Sequence, residues 1–259
     1  MIELTPQISS HRLGELVKEL ELPKSEQICL LRLMTLFATL APPPDPHGLF
    51  PGFADLQHQF VAAIMGKDAE VLEEAFLALY CHVHGHEAPY TPQERRHMDR
   101  TGGYWCHAGG LSPILKAGSH IQPQTVSADF GAGNGLQGLL MQKLFPHRQT
   151  VQIELSSRMV EAGVELQKWL AIPTERVLWI AGDVNDYFSN DLSFIYLYRP
   201  VKPEGYGIRF YENFTSRLVA SPQKNLIIFS IADCLSDFLP PEFQVFHNDG
   251  HLTCYRRRI

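Results

Sequence analysis

Residues Asp129-Phe-Gly-Ala-Gly-Asn-Gly135 set three glycines at every second position, directly after the apolar run Thr125-Val-Ser-Ala128 and directly before a helical pattern that begins at Leu136. Glycine enters backbone conformations closed to other residues and carries no side chain, so this spacing makes a tight turn and brings bare backbone against a ligand. Two carboxylates then give the ligand a shape. Glu154 ends the strand-like run Thr150-Val-Gln-Ile-Glu, close to the offset of about 20 residues at which an acid accepts ribose hydroxyls. Asp183, in the pair Gly182-Asp183, ends the following run, Arg176-Val-Leu-Trp-Ile-Ala, and sets a second carboxylate near a purine edge.

The elements that position these groups follow from periodicity. From about Val126, strand-like runs at 126–130, 150–154, 176–181, 192–198 and 225–230 alternate with helical stretches at 136–145, 156–170 and 207–219. This alternation predicts a doubly wound α/β sheet with ligand at the strand ends. Short β-rich segments at 243–247 and 251–255, joined around Asn248-Asp249-Gly250, predict a C-terminal antiparallel hairpin. The first hundred residues read instead as helices at 11–20, 26–41, 55–64 and 68–80, the second stopped by Pro42-Pro43-Pro44. Their apolar faces need a partner surface, so residues 1–100 are expected to form a helical cap or flank and residues 101–259 the α/β domain.

Composition bounds the classes of function. The 259 residues are 45% apolar and 19% charged, an ordinary globular balance. A formal charge of −6 counts against broad nucleic-acid binding, and the one basic cluster, Arg256-Arg257-Arg258, lies at the end of the chain. Five scattered cysteines without a CxxC pair suit a reducing compartment, and the opening residues lack a long apolar stretch; a cytoplasmic protein without a membrane partner is expected.

A dinucleotide calls for Gly-x-Gly-x-x-Gly, with a helix N-terminus facing pyrophosphate. Here Asp129 stands at the strand end, where it repels phosphate and attracts the amino group of a zwitterionic ligand. That contrast favours a sulfonium nucleoside amino acid over a nicotinamide cofactor. From Thr125 to the C-terminus the chain resembles the class I S-adenosylmethionine-dependent methyltransferases. The turn at Asp129–Gly135 matches the family's first motif, Val151-Gln-Ile-Glu154 its ribose-binding strand, Gly182-Asp183-Val184 its adenine-binding segment, and Asp191–Pro200 its fourth strand and the loop bordering the transferable methyl group.

The resemblance implies a Rossmann-like seven-stranded sheet, S-adenosyl-L-methionine as cofactor, and cofactor contacts from Asp129, Gly131, Ala132, Gly133, Glu154, Asp183, Val184 and Tyr198. One departure bears on the acceptor. The fourth strand ends Leu197-Tyr198-Arg199-Pro200, where family members that methylate exocyclic amines carry Asn or Asp, Pro-Pro and an aromatic residue. A noncatalytic, methyltransferase-like binding protein is the alternative this departure leaves open. Catalytic residues stay unassigned, because methyl transfer needs alignment more than a dyad.

Candidates for the acceptor pocket are Tyr104, Trp105 and His107, in a glycine-flanked segment ahead of the sheet, and Arg199, whose planar fork suits an acidic group. A small-molecule acceptor is expected ahead of a macromolecule, with nucleic acid set aside. His82, His84 and His86 alternate at a helix end, and alternation does not converge three ligands on one ion, so no metal is expected.

Overall fold

The computed structural model describes residues 13–14, 17–18, 21–46, 48–66, 68–84, 90–103 and 110–258. Helices α1 (Lys24–Thr39), α2 (Phe53–Met65), α3 (Ala69–His84), α4 (Pro92–Thr101) and α5 (Ser112–Ala117) precede strand β1 (Val126–Phe130). Then come α6 (Leu136–Leu144), β2 (Gln149–Glu154), α7 (Ser157–Trp169), β3 (Val177–Ala181), β4 (Phe194–Tyr198), α8 (Tyr206–Ala220), β5 (Ile227–Ile231), β6 (Phe243–Asn248) and β7 (Leu252–Arg257). The first expected helix lies mostly outside the described residues; within it Leu13 and Val17 are helical and buried.

The seven strands run in the order β3-β2-β1-β4-β5-β7-β6. Strands β1 to β5 pair in parallel, while β7 runs antiparallel to both β5 and β6. The direction of winding reverses between β1 and β4, and in such sheets the crevice beyond the carboxyl ends of the strands at that reversal is the place for a ligand. The hairpin between β6 and β7 carries a bulge at Val245/His247, and Gly250 takes a φ of 86° in its turn.

Strand residues alternate between two cores, as a pleated sheet requires. Ile195 and Leu197 of β4 join Phe210, Phe214 and Leu218 of α8 on one face. Phe194 and Tyr196 of β4, with Ile227, Phe229 and Ile231 of β5, join the other, in one cluster with Phe37 of α1, Phe60 of α2 and Phe76 and Tyr80 of α3. The N-terminal helices therefore complete the layer on that face. Phe37 meets Trp169 of α7 edge-on at 6.2 Å, and the Trp169 indole N–H donates to the Ala41 carbonyl at 2.6 Å.

Two helices fall where periodicity predicted none. Helix α5 follows the glycine-flanked segment ahead of the sheet, where no helix was expected. Helix α4 forms because Thr91 and Glu94 make a reciprocal cap: the Thr91 hydroxyl accepts from the Glu94 N–H at 3.2 Å, and the Glu94 carboxylate accepts from the Thr91 N–H at 2.6 Å. Pro92 starts the helix and Gly102, at a φ of 75°, ends it. Only Met98 and Thr101 of this helix are buried, so it carries no apolar stripe to read.

Candidate functional site

The glycine turn adopts the conformation its spacing demands. Gly131, Gly133 and Gly135 have φ values of 85°, 58° and 70°, in the left-handed region where a side chain is strained. The N–H groups of Gly131 and Ala132 donate to the Ile153 carbonyl at 3.0 and 2.9 Å, fastening the turn to the end of β2. The Asn134 side chain donates to the Val83 carbonyl at 2.8 Å, which ties the same turn to α3.

Glu154 closes the turn from the next strand. Its carboxylate accepts from the Gly133 N–H at 2.9 Å and the Ser156 N–H at 2.8 Å. Burial raises its pKa to about 7, against the pull of those two hydrogen bonds. Asp129 lies beneath the turn, 3% exposed and outside the cleft lining. Burial first, and the neighbouring Glu154 second, push its pKa well above the carboxylate range. Burial likewise raises the Tyr80 and Tyr196 phenols, with Asp129 adding to both, and the Tyr80 hydroxyl donates to Gln137 at 2.6 Å.

The turn, Glu154, Asp183 and Val184 line a single cleft, and Tyr198, Pro200 and Val201 wall another part of it. Its empty volume, open mouth included, is about 800 Å³, within the range of small-ligand sites. The remaining wall comes from outside the sheet: His84 from α3, Tyr90, and His97, Met98 and Thr101 from α4.

Helix α4 crosses this cleft and is tied to three strand ends. Beyond β2, the Ser157 N–H donates to the Glu94 carboxylate at 3.3 Å. Beyond β3, the His97 Nε2 lies 2.6 Å from Asp183 Oδ2. Beyond β4, Lys202 donates its N–H to the Gly102 carbonyl at 2.8 Å, and Gly103 bridges Val201. Glu94, His97, Met98 and Thr101 were missed by sequence reasoning, and His84 was weighed there only as a metal ligand. For the α4 residues the signal was present, as the capping pattern Thr-Pro-Gln-Glu at Thr91–Glu94.

Arg199 takes a different direction from its neighbour Tyr198. It sits at a φ of 36°, beside Cys234 and Tyr211, and lines a shallow groove with Asp233 and Tyr255 rather than the cleft. Ala232, at the end of the adjacent β5, also has a positive φ, 47°. The hairpin reaches back to the cleft wall, where the His251 ring meets the Tyr198 ring edge-on at 5.9 Å. Tyr104, Trp105 and His107 lie outside the described residues, as does His86. His82 and His84 end α3, and among the described residues no group of side chains is arranged to hold a metal ion.

The strand order, the parallel half-sheets, the antiparallel β7 and the glycine turn after β1 together define the Rossmann-like class I methyltransferase fold. No family model and no curated protein matches the chain. Solved structures do. An RNA methyltransferase from Salinibacter ruber, in complex with S-adenosyl-L-homocysteine, is 16% identical, with 57% of this chain and 88% of that one covered at a TM-score of 0.44. An rRNA methylase from Streptococcus thermophilus is 11% identical, with 57% and 95% covered at 0.43. TrmN from Thermus thermophilus is 17% identical at 0.42, with 57% of this chain and 48% of that chain covered. The expectation of a small-molecule acceptor, with nucleic acid set aside, is corrected by these matches, since RNA stands in the names of the first two. The physical reason is that net charge is a sum over the whole surface and says nothing of a local patch. No helix among the described residues is long and apolar enough to cross a membrane.

Proposed function

We propose that the protein is an S-adenosylmethionine-dependent methyltransferase acting on RNA. The observation that carries the donor assignment is the cleft itself, where bare glycine backbone and two carboxylates on neighbouring strand ends, Glu154 and Asp183, meet at the reversal of the sheet. These groups fit the nucleoside: Glu154 accepts from ribose hydroxyls, Asp183 accepts from the purine amino group, and Val184 supplies an apolar surface for the base. Backbone at Gly131–Gly133 leaves room for the amino-acid portion, with the buried Asp129 beneath it. When bound, the cofactor supplies a methyl group made electrophilic by its sulfonium. Tyr198, Pro200 and Val201 exclude water from that end and hold the acceptor in line, which supplies much of the rate gain in such transfers.

The acceptor assignment rests on the charge of the rim. Arg95, Arg96 and Arg100 are exposed on α4, the helix that crosses the cleft, and Lys202 and Arg209 are exposed on the chain segment packed beside it. Asp99, Glu204 and Glu212 are exposed on the same segments. Cations at this position suit a phosphate backbone that carries a base toward the cleft.

The test is calorimetric titration with S-adenosylhomocysteine, then transfer of tritiated methyl groups into total RNA. Micromolar binding that Glu154→Ala abolishes, with label lost on ribonuclease treatment, is the expected result. An absence of binding overturns the donor reading. Binding without label in RNA overturns the acceptor reading and favours a cofactor-binding protein without this activity.

A further inference from the structure

His97 comes from α4 rather than from the sheet, yet it makes the shortest side-chain contact to Asp183, at 2.6 Å. We propose that His97, oriented by Arg100, is a positioning residue for the purine end of the cleft: it holds the Asp183 carboxylate so that the site accepts a 6-amino purine and rejects a 6-oxo purine. The inference rests on the cleft being the S-adenosylmethionine site.

The donor–acceptor chemistry fixes the direction of the chain. The Arg100 Nη2 lies 3.2 Å from His97 Nδ1. A guanidinium can only donate, so Nδ1 is the acceptor and carries no proton. A neutral imidazole then holds its proton on Nε2, which donates to Asp183 Oδ2. A doubly protonated ring would set an N–H against the guanidinium and lose that contact. On the other side of the carboxylate, the Asn185 N–H donates to Oδ1 at 2.8 Å.

Asp183 is therefore gripped at both oxygens, and its side chain is only 15% exposed. Each carboxylate oxygen has a further lone pair, so acceptors alone remain to face a ligand. An amino group at the purine 6-position can donate to them, whereas a carbonyl oxygen there meets a fixed negative charge and finds no donor. Sites built to hydrogen-bond one such group reject the analogue that lacks it far better than apolar pockets do. The reach of His97 is defined because its helix is anchored on either side, at Ser157 through Glu94 and at Lys202 through Gly102.

Three proteins, wild type, His97→Ala and His97→Gln, are titrated with S-adenosylhomocysteine and with S-inosylhomocysteine, and their thermal unfolding is recorded alongside. Wild type is expected to prefer the adenosyl ligand by at least about tenfold, the worth of one hydrogen bond to a charged group. His97→Ala is expected to shrink that preference to about threefold or less while the inosyl affinity holds. Glutamine carries both an N–H for Asp183 and an oxygen for Arg100, so His97→Gln restores most of the preference.

A His97→Ala protein that weakens both ligands equally, or that keeps the wild-type ratio, overturns the inference and leaves His97 as a strut. A wild type that binds both ligands equally overturns it while sparing the donor reading. A wild type that binds neither ligand overturns the donor reading, and the inference with it.

Discussion

At the scale of single residues, the ionisation of Glu154 decides what the cleft can hold. A ribose hydroxyl donates to a carboxylate, and burial raises the pKa of this one to about 7. Affinity for S-adenosylhomocysteine is therefore expected to rise between about pH 6 and pH 8 in calorimetric titrations, and Glu154→Gln should flatten the profile while lowering affinity by about tenfold. The ligand-free protein should respond in the opposite sense. An acid whose folded pKa stands above its unfolded value binds more protons in the folded state. Stability then declines as pH rises from about 4.5 toward 7, by on the order of 2 kcal/mol. The buried Asp129, shifted in the same direction, adds to the decline. Urea midpoints across this range check both statements, and Glu154→Gln should remove most of the slope.

At the scale of elements, α4 marks the limit of what could be read. Strands and helices with an apolar face were legible, because burying that face is what makes them fold: β1 spans the 126–130 expected, and α7 and α8 lie within a residue of their expected bounds. The glycine turn and the two carboxylates were legible for a related reason, since backbone conformation and charge are local properties of residue type. Helix α4 buries too little to show a period, and its one strong signal is the Thr91–Glu94 cap. Reading by caps as well as by periods would have found it, though not the contact between His97 and Asp183, which joins residues far apart in sequence. Arg199 shows the same limit, because no sequence pattern reports the positive φ that turns it away from Tyr198. Thr91→Ala is expected to cost α4 about 1 kcal/mol. Hydrogen exchange should then show faster exchange in residues 92–101 with the sheet unchanged, together with weaker binding of S-adenosylhomocysteine.

At the scale of the whole molecule, one apolar cluster spans α1–α3 and the face of β4 and β5. Cutting the chain near residue 100 would uncover the faces of α5 and α6 that meet α1 and α3, so we expect residues 101–259 expressed alone to aggregate. Phe37 is fully buried and meets Phe76, Tyr80 and Trp169 edge-on. Phe37→Ala should destabilise the protein by about 3–5 kcal/mol. A single urea transition, seen alike by tryptophan fluorescence and far-ultraviolet circular dichroism, is the expected form of that loss; two separated transitions would show that the helices and the sheet unfold independently. The shared cluster also bears on how the chain is made. Synthesis delivers α1–α3 first, and the helices they pack on, α5 and α6, and Trp169 of α7 leave the ribosome only later. Until then their apolar stripes stand open, and contacts such as Phe37 to Trp169 and Cys29 to Ile114 join residues far apart in sequence, a pattern that goes with slow folding and exposure to misassembly. The nascent chain is thus a natural client for chaperones, and the helices furthest from the glycine turn in sequence set how long it must wait.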